Sequence, residues 1–208
     1  LDLNNRNLML QVKEESAMMR EQLRMGQELT QKPLPVTITN LGASVNSAKS
    51  EFFPSLSPDG HSLIYTSNRP GSTGNIDEDG EYDQDLWYSE KQSDGNYGNC
   101  INMGAANTPN NNGNTSFTAD GRFVFTARCG EYDGYGNCDI YMASIVDKNW
   151  TEAINLGSAI NSTEWDAQVC VSPDGNVLIW ASHRSGGYGK SDLWIAHKNN
   201  DGTWAKAR

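Results

Sequence analysis

The sequence is short of positive charge. Its 208 residues hold 16 Lys and Arg against 26 Asp and Glu, a formal net charge of −10. A surface with that balance repels phosphate backbones and anionic lipid, so nucleic acid is not expected among its partners. Long apolar runs are missing as well. Nothing approaches the roughly 20 residues a membrane helix needs, and no direct membrane span is expected. Cysteine is scarce, with Cys100, Cys129, Cys138 and Cys170 and no C-x-x-C spacing, which argues against a zinc site. There is no Gly-x-Ser-x-Gly motif, hence no nucleophile elbow. The three histidines, His61, His183 and His197, are scattered over a predicted turn and two strand ends, places that suit surface or packing roles better than catalysis. These absences lead to the expectation of a protein that is not an enzyme. The chain opens at Leu1 without Met, a charged leader or a lipidation Cys, and is expected to be an internal piece of a longer protein.

What is present is glycine, asparagine and aromatics spread through many short segments, a composition that suits a β-rich, loop-rich fold. The exception is the start. From about 7 to 31, Leu8, Val12, Met19 and Leu23 recur at three- and four-residue steps, with Met18 and Met25 beside them and charged residues between. This predicts a helix, stopped by Pro33 and Pro35. One such helix alone is marginal, so it is expected to pack on neighbouring helices or on the following domain.

Beyond Pro35 the chain repeats. The stretch Ser57-Pro58-Asp59-Gly60 followed by Leu63-Ile64-Tyr65 reads as a tight turn opening a strand buried on both faces. It recurs as Asp120-Gly121 before Phe123–Ala127 and as Asp174-Gly175 before Val177–Ala181. The strands run on to Arg69, Arg128 and Arg184. A second marker begins with aspartate: Asp85-Leu86-Trp87, Asp139-Ile140-Tyr141, Asp192-Leu193-Trp194. A third is Asn-x-Gly, at Asn40–Gly42, Asn102–Gly104 and Asn155–Gly157, each followed by another asparagine (Asn46, Asn107, Asn161). Together these mark four short strands in a period of roughly 53 to 62 residues, the pattern of a β-propeller blade. The predicted fold is all-β: a partial propeller of four-stranded blades over 34–208, with blades near 34–104, 105–157 and 158–208, preceded by a helical segment over 1–33. Val36–Gly42 is predicted to be a donated outer strand, and the last blade to be incomplete. Further blades are expected beyond Arg208, because three do not normally close a ring.

The repeats resemble the WD40-like, TolB-type propeller repeat, on the strength of Ser-Pro-Asp-Gly, the strands ending in Ser-Asn-Arg69 and Ser-His-Arg184, and the Asp-Leu-Trp strand. The middle copy departs, with Ala119 in place of Pro and Tyr141 in place of Trp. The order helix, two prolines, Asn-Leu-Gly, then Ser50-Glu51-Phe52-Phe53-Pro54 is similar to the helix–propeller junction of a Bacteroidetes envelope family. That family joins tetratricopeptide-type (TPR) helices, a propeller and often an OmpA-like peptidoglycan-binding domain, and includes PorE-like components of type IX secretion. The resemblance implies a periplasmic scaffold associated with the outer membrane, whose partners are envelope proteins such as secretion-complex subunits. Peptidoglycan would be reached only through a domain absent from this sequence.

Candidate chemistry concentrates where the copies differ. Asn75, Asp77, Asp79 and Glu81 place oxygen ligands around a glycine turn in the manner of the first half of a calcium loop, although Leu86 stands where a closing bidentate Glu belongs. Calcium is the one cofactor the sequence raises, against the plainer reading of a solvated acidic loop. Cys129 and Cys138 bracket a turn-rich loop and are expected to form a disulfide, with two free thiols as the alternative; a disulfide would place the protein in an oxidising compartment. Asp85, Asp139 and Asp192 are expected to bond nearby backbone or Arg69, Arg128 and Arg184, as blade-holding residues. The Tyr- and Gly-rich loops at 132–135 and 186–189 read either as sugar- or peptide-stacking sites or as tight turns. The leading functional expectation is a non-enzymatic, protein-binding scaffold. The alternatives are an accessory propeller of a peptidase or glycan-processing enzyme, and a calcium-dependent glycan-binding module.

Overall fold

The computed structural model describes residues 3–146 and 149–208, and the chain divides into two units, Leu1–Asn40 and Leu41–Arg208. The first unit contains α1 (Leu3–Gln31), whose last turn precedes Pro33 and Pro35, as expected for residues that cannot continue a helix. Its apolar side chains, Leu8, Val12, Met19 and Leu23 among them, are exposed. Among the described residues no helix is long and apolar enough to cross a membrane.

The predicted strand at Val36–Gly42 does not form. Residues 36–42 carry no strand, and Val36 and Ile38 are exposed. A strand exists by virtue of a ladder, and residues 36–42 join none of the sheets described below.

The second unit is three successive antiparallel sheets. The first is β1 (Glu51–Leu56), β2 (Ser62–Ser67), β3 (Asp85–Glu90) and β4 (Ile101–Asn102), in that order. The second is β5 (Asn112–Phe117), β6 (Phe123–Cys129), β7 (Cys138–Val146) and β8 (Asn149–Trp150), with β9 (Ile154–Asn155) also on β7. The third is β10 (Asp166–Val171), β11 (Val177–Ser182) and β12 (Asp192–His197). A fourth strand only begins on β12: Lys198 bridges Trp204, and Ile195 and Arg208 exchange backbone hydrogen bonds at 3.0 Å.

The Asp-Gly turns are built alike. Asp59 Oδ1 accepts from Ser57 Oγ and His61 N, and Asp120 and Asp174 repeat the arrangement with Thr118 and Ser172. Gly60, Gly121 and Gly175 sit at φ 65°, 67° and 72°, which a residue with a Cβ adopts only under strain.

The core lies between the sheets. Ile64 and Leu86 of the first sheet meet Phe117, Val124 and Tyr141 of the second. Phe125 and Ile140 of the second meet Val169, Leu178 and Trp180 of the third. The consecutive residues Val124 and Phe125 therefore face opposite junctions, which is why the second strands read as unbroken apolar runs rather than alternating ones. Asparagine bridges each junction. Asn107 Oδ1 accepts from Leu86 N at 2.8 Å and its Nδ2 donates to Leu86 O at 3.0 Å; Asn161 treats Ile140 identically.

Candidate binding face

The first strand of each sheet starts, the second ends and the third starts at one common end, shown by the cross-strand sets Glu51–Ser67–Asp85, Asn112–Arg128–Asp139 and Asp166–Ser182–Asp192. The long loops 68–84, 130–137 and 183–191 emerge there, while the Asp-Gly turns lie at the other end.

Buried guanidinium groups brace this end. Arg69 Nη2 donates to Val45 O at 2.6 Å and to Glu51 Oε1 at 2.8 Å, and Arg69 Cζ lies 5.2 Å and 5.0 Å from the rings of Tyr65 and Trp87. Arg184 repeats the set with Ile160 O, Asp166 Oδ1, Trp180 and Trp194. Arg128 donates to Ala106 O at 2.6 Å and stacks on Tyr141 at 5.2 Å. By strand register, however, Arg128 occupies the position of Ser67 and Ser182, two residues earlier than Arg69 and Arg184. Thr126 stands where Tyr65 and Trp180 stand, and Arg128 stacks on the one ring of Tyr141 where Arg69 and Arg184 each meet two. Asn112 stands where the other two have their carboxylate, and Arg128 itself takes the place of the serines to which Arg69 Nε and Arg184 Nε donate, so the buried Arg128 Nε is left without a hydrogen bond. Burial depresses the Arg128 pKa, with Glu131 and Tyr141 opposing.

The third-strand aspartates hold the loops. Asp85 accepts from Thr73 N and from Asn102 Nδ2 at 2.6 Å, Asp139 Oδ2 from Tyr135 N at 2.9 Å and Gly136 N at 3.3 Å, and Asp192 Oδ2 from Gly189 N at 3.0 Å. Burial is the main influence on Asp85 and Asp139 and pushes both carboxyls up, partly offset by these bonds; the charge of Asp166 raises Asp139 further. Asp166 is lowered: burial pushes it up, but bonds from Ser162, Ser182 and Arg184 outweigh that.

Closer to the inner edge, each first strand carries a β-bulge. The pairing slips between Phe52 and Ser55, between Gly113 and Thr115, and between Ala167 and Cys170. At each slip a non-glycine residue takes a left-handed backbone: Phe53 (φ 50°), Asn114 (φ 50°) and Gln168 (φ 57°), the only such residues among those described. Each lies two residues after the start of its strand, and all three line one cavity of about 130 Å³, together with Gln84, Asn111 and Trp165. Backbone strain of this kind costs on the order of 1–3 kcal/mol per residue and collects at working sites. Asn114 Oδ1 is buried with no hydrogen-bond partner.

Comparison with solved structures identifies this arrangement. TolB from Acinetobacter baumannii superposes with a TM-score of 0.50 at 16% identity, over 78% of this chain and 33% of that one. The fold is that of a TolB-type β-propeller. An α-L-arabinofuranosidase from Lactobacillus brevis superposes with the same TM-score at 15% identity, over 76% of this chain and 53% of its own. The chain thus spans only a third to about half the length of these two structures. No protein-family model and no curated protein matches the sequence.

Within the TolB-type frame, the residues singled out from sequence fall in different places. Around the acidic turn, Asp77 Oδ1 accepts from Asp79 N and Glu81 N, while Glu81 is held by Lys49 at 2.8 Å and Asn68 at 2.7 Å. Asn75 N donates to Asp83, so the turn's shape follows from its own hydrogen bonds. Among the described residues no group of three or more His, Cys, Asp or Glu side chains converges to hold a metal. Cys129 and Cys138 face each other across β6 and β7 and form a disulfide; Cys100 and Cys170 are free. The loop it closes lies against the third sheet, with Asn137 N donating to Glu164 O and Gly136 so close to Glu164 that a Cβ would collide with its backbone. His183 stacks on Trp165 at 4.7 Å, and His197 Nε2 lies 3.4 Å from Arg208. Tyr132 and Tyr188 project fully into solvent from the loops of this face.

The bulges and the asparagine clamps were not assigned from sequence. The clamps had a signal, the asparagine repeated after every Asn-x-Gly. The bulges had none, because Phe, Asn and Gln share no chemistry and only the backbone makes them equivalent.

Proposed function

We propose that this chain is a non-enzymatic, protein-binding part of a propeller that belongs to a periplasmic assembly at the outer membrane. Each sheet would be one four-stranded blade, and the helix the end of a TPR-like domain. The observation that carries the reading is the contrast on one face of the molecule. Three guanidinium posts stacked on aromatic rings and bonded to backbone carbonyls make its base rigid in every repeat. What the face presents differs from sheet to sheet: an acidic turn, a disulfide-closed tyrosine loop and a glycine-tyrosine loop. A rigid scaffold with variable loops is the design by which folds present partner-binding surfaces. The disulfide supports an oxidising compartment. Envelope proteins, type IX secretion subunits among them, are the partner class that the helix–propeller junction implies.

The test is affinity capture from envelope extract with the chain and with a Tyr132→Ser/Tyr188→Ser variant. Both side chains are fully exposed, so the variant keeps its fold. The reading predicts envelope proteins retained by the chain and lost from the variant. A chain recovered alone, or a variant that captures the same proteins equally, contradicts it.

A further inference from the structure

We infer that the loop-bearing end of the sheets is an electrostatic docking surface for a protein partner whose contacting segment is rich in Arg and Lys. The inference rests on the protein-binding reading above and names the chemistry of the partner's side.

The negative charge of the chain is polarised. The strand ends and loops at this end, within 49–51, 68–85, 128–139, 164–166 and 183–192, hold half of the 26 acidic residues and only five of the 16 basic ones. The rest of the chain is thereby left close to neutral. Acidic residues that served solubility alone would be mixed with basic ones over the whole surface. Gathered at one end they repel one another, a cost that a cationic partner removes. The local cations do not offset this outward. Arg69, Arg128 and Arg184 are folded onto rings and bonded to backbone carbonyls, and Lys49 is tied to Glu81 at 2.8 Å. By contrast, Glu78, Asp79 and Glu164 are exposed, and their carboxylates have no hydrogen bond or ion pair among the described residues.

A second observation, independent of the charge count, concerns aromatic rings. Inside the molecule a carboxylate and aromatic rings together hold a guanidinium: Glu51, Tyr65 and Trp87 around Arg69, and Asp166, Trp180 and Trp194 around Arg184. The loops present the same two kinds of group to solvent without the cation. Tyr132 and Tyr188 are fully exposed, and Tyr132 stands between Glu131 and Asp133 in the chain. Arginine suits such a surface best, because its planar fork pairs with carboxylates and stacks on rings.

The test is fluorescence anisotropy of the 208-residue chain with a labelled peptide of alternating Arg and Ser and with its Glu–Ser counterpart. Glu78→Lys/Asp79→Lys reverses two unpaired carboxylates at this end. Glu14→Lys/Glu90→Lys makes the same change of net charge on the helix and at the Asp-Gly end. All four side chains are exposed, so both variants keep their fold, with thermal unfolding as the check. The Arg–Ser peptide is expected to bind saturably and to weaken as salt rises. Its affinity should fall about fivefold in the first variant and stay unchanged in the second. Equal weakening in both variants would show a net-charge effect with no preferred face and overturns the inference. So does equal binding of the Glu–Ser peptide, or no saturable binding of either. Displacement of the peptide by millimolar Ca²⁺, but not by NaCl of equal ionic strength, would make the face a metal site and also overturns it. Envelope capture that persists alongside such a failure leaves the protein-binding reading standing and removes only the cationic partner.

Discussion

Two aspartates across one junction show how a single substitution between repeats changes the electrostatics. Asp85 faces Asn112, whose amide nitrogen lies 3.5 Å from Asp85 Oδ1. In the next junction Asp166 stands where Asn112 stood, and Asp139 Oδ1 is left buried without a donor. The Asp139 carboxyl is raised, chiefly by burial, so its ionised form opposes folding at neutral pH and is relieved as pH falls through its folded value. Asp139→Asn is therefore expected to gain about 1 kcal/mol at pH 7 in urea unfolding, and to show no gain below about pH 4, where the unfolded chain's aspartate is protonated too. Asp166 has the opposite sign. Its carboxyl is lowered, so it contributes stability above the ordinary value and loses it as pH falls through the folded one. Asp166→Ala leaves the partly buried Arg184 without its counter-ion and the buried Trp180 Nε1 without its acceptor, and should lose about 3 kcal/mol. The sequence shows the aspartates and arginines as repeated markers, yet the partners of the arginines come from elsewhere: Glu51 and Asp166 belong to first strands and lie outside those repeated markers. Arg128 could be aligned by eye with Arg69, but only the register reveals that it starts two residues earlier and still bonds the carbonyl of Ala106 as Arg69 bonds that of Val45.

At the scale of elements, the turns and second strands were readable because Asp-Gly chemistry and two-faced apolar runs are local properties. The outer strands were less so. Val36–Gly42 alternates like a strand but has no ladder, and the fourth strands shrink to pairs of residues at Ile101–Asn102 and Ile154–Asn155. The bulges are the part of the site that sequence hides, since their cost is in the backbone. A left-handed placement costs roughly 1–2 kcal/mol, and glycine's extra freedom in the unfolded chain returns roughly 0.5–1. Gln168→Gly should therefore raise stability by about 0.5–1 kcal/mol, with thermal unfolding as the check; a loss would mean that the strain estimate is wrong. The disulfide closes a loop with a sequence separation of 9. Its removal in Cys129→Ser/Cys138→Ser should cost about 2–3 kcal/mol by loop entropy, and should raise hydrogen exchange at Asn137, which bonds Glu164 across the junction.

At the scale of the whole molecule, the third sheet leaves open the positions that a following sheet covers in the first two. Ile64 and Phe125 are 0% and 1% exposed where the next sheet covers them, yet the equivalent Ile179 is 41% exposed. Leu86 and Ile140 are fully buried, and the equivalent Leu193 is 78% exposed. The central claim is that partners meet the end of the sheets where the bulges and long loops lie. It is tested most directly by placing a photo-crosslinking phenylalanine at Phe53 and, separately, at Tyr97, whose hydroxyl bonds Gly60 O at the Asp-Gly end, and irradiating each in envelope extract. The account predicts a discrete crosslinked envelope protein from position 53 that is absent from position 97. Crosslinks from position 97 alone, or none from position 53, would contradict it.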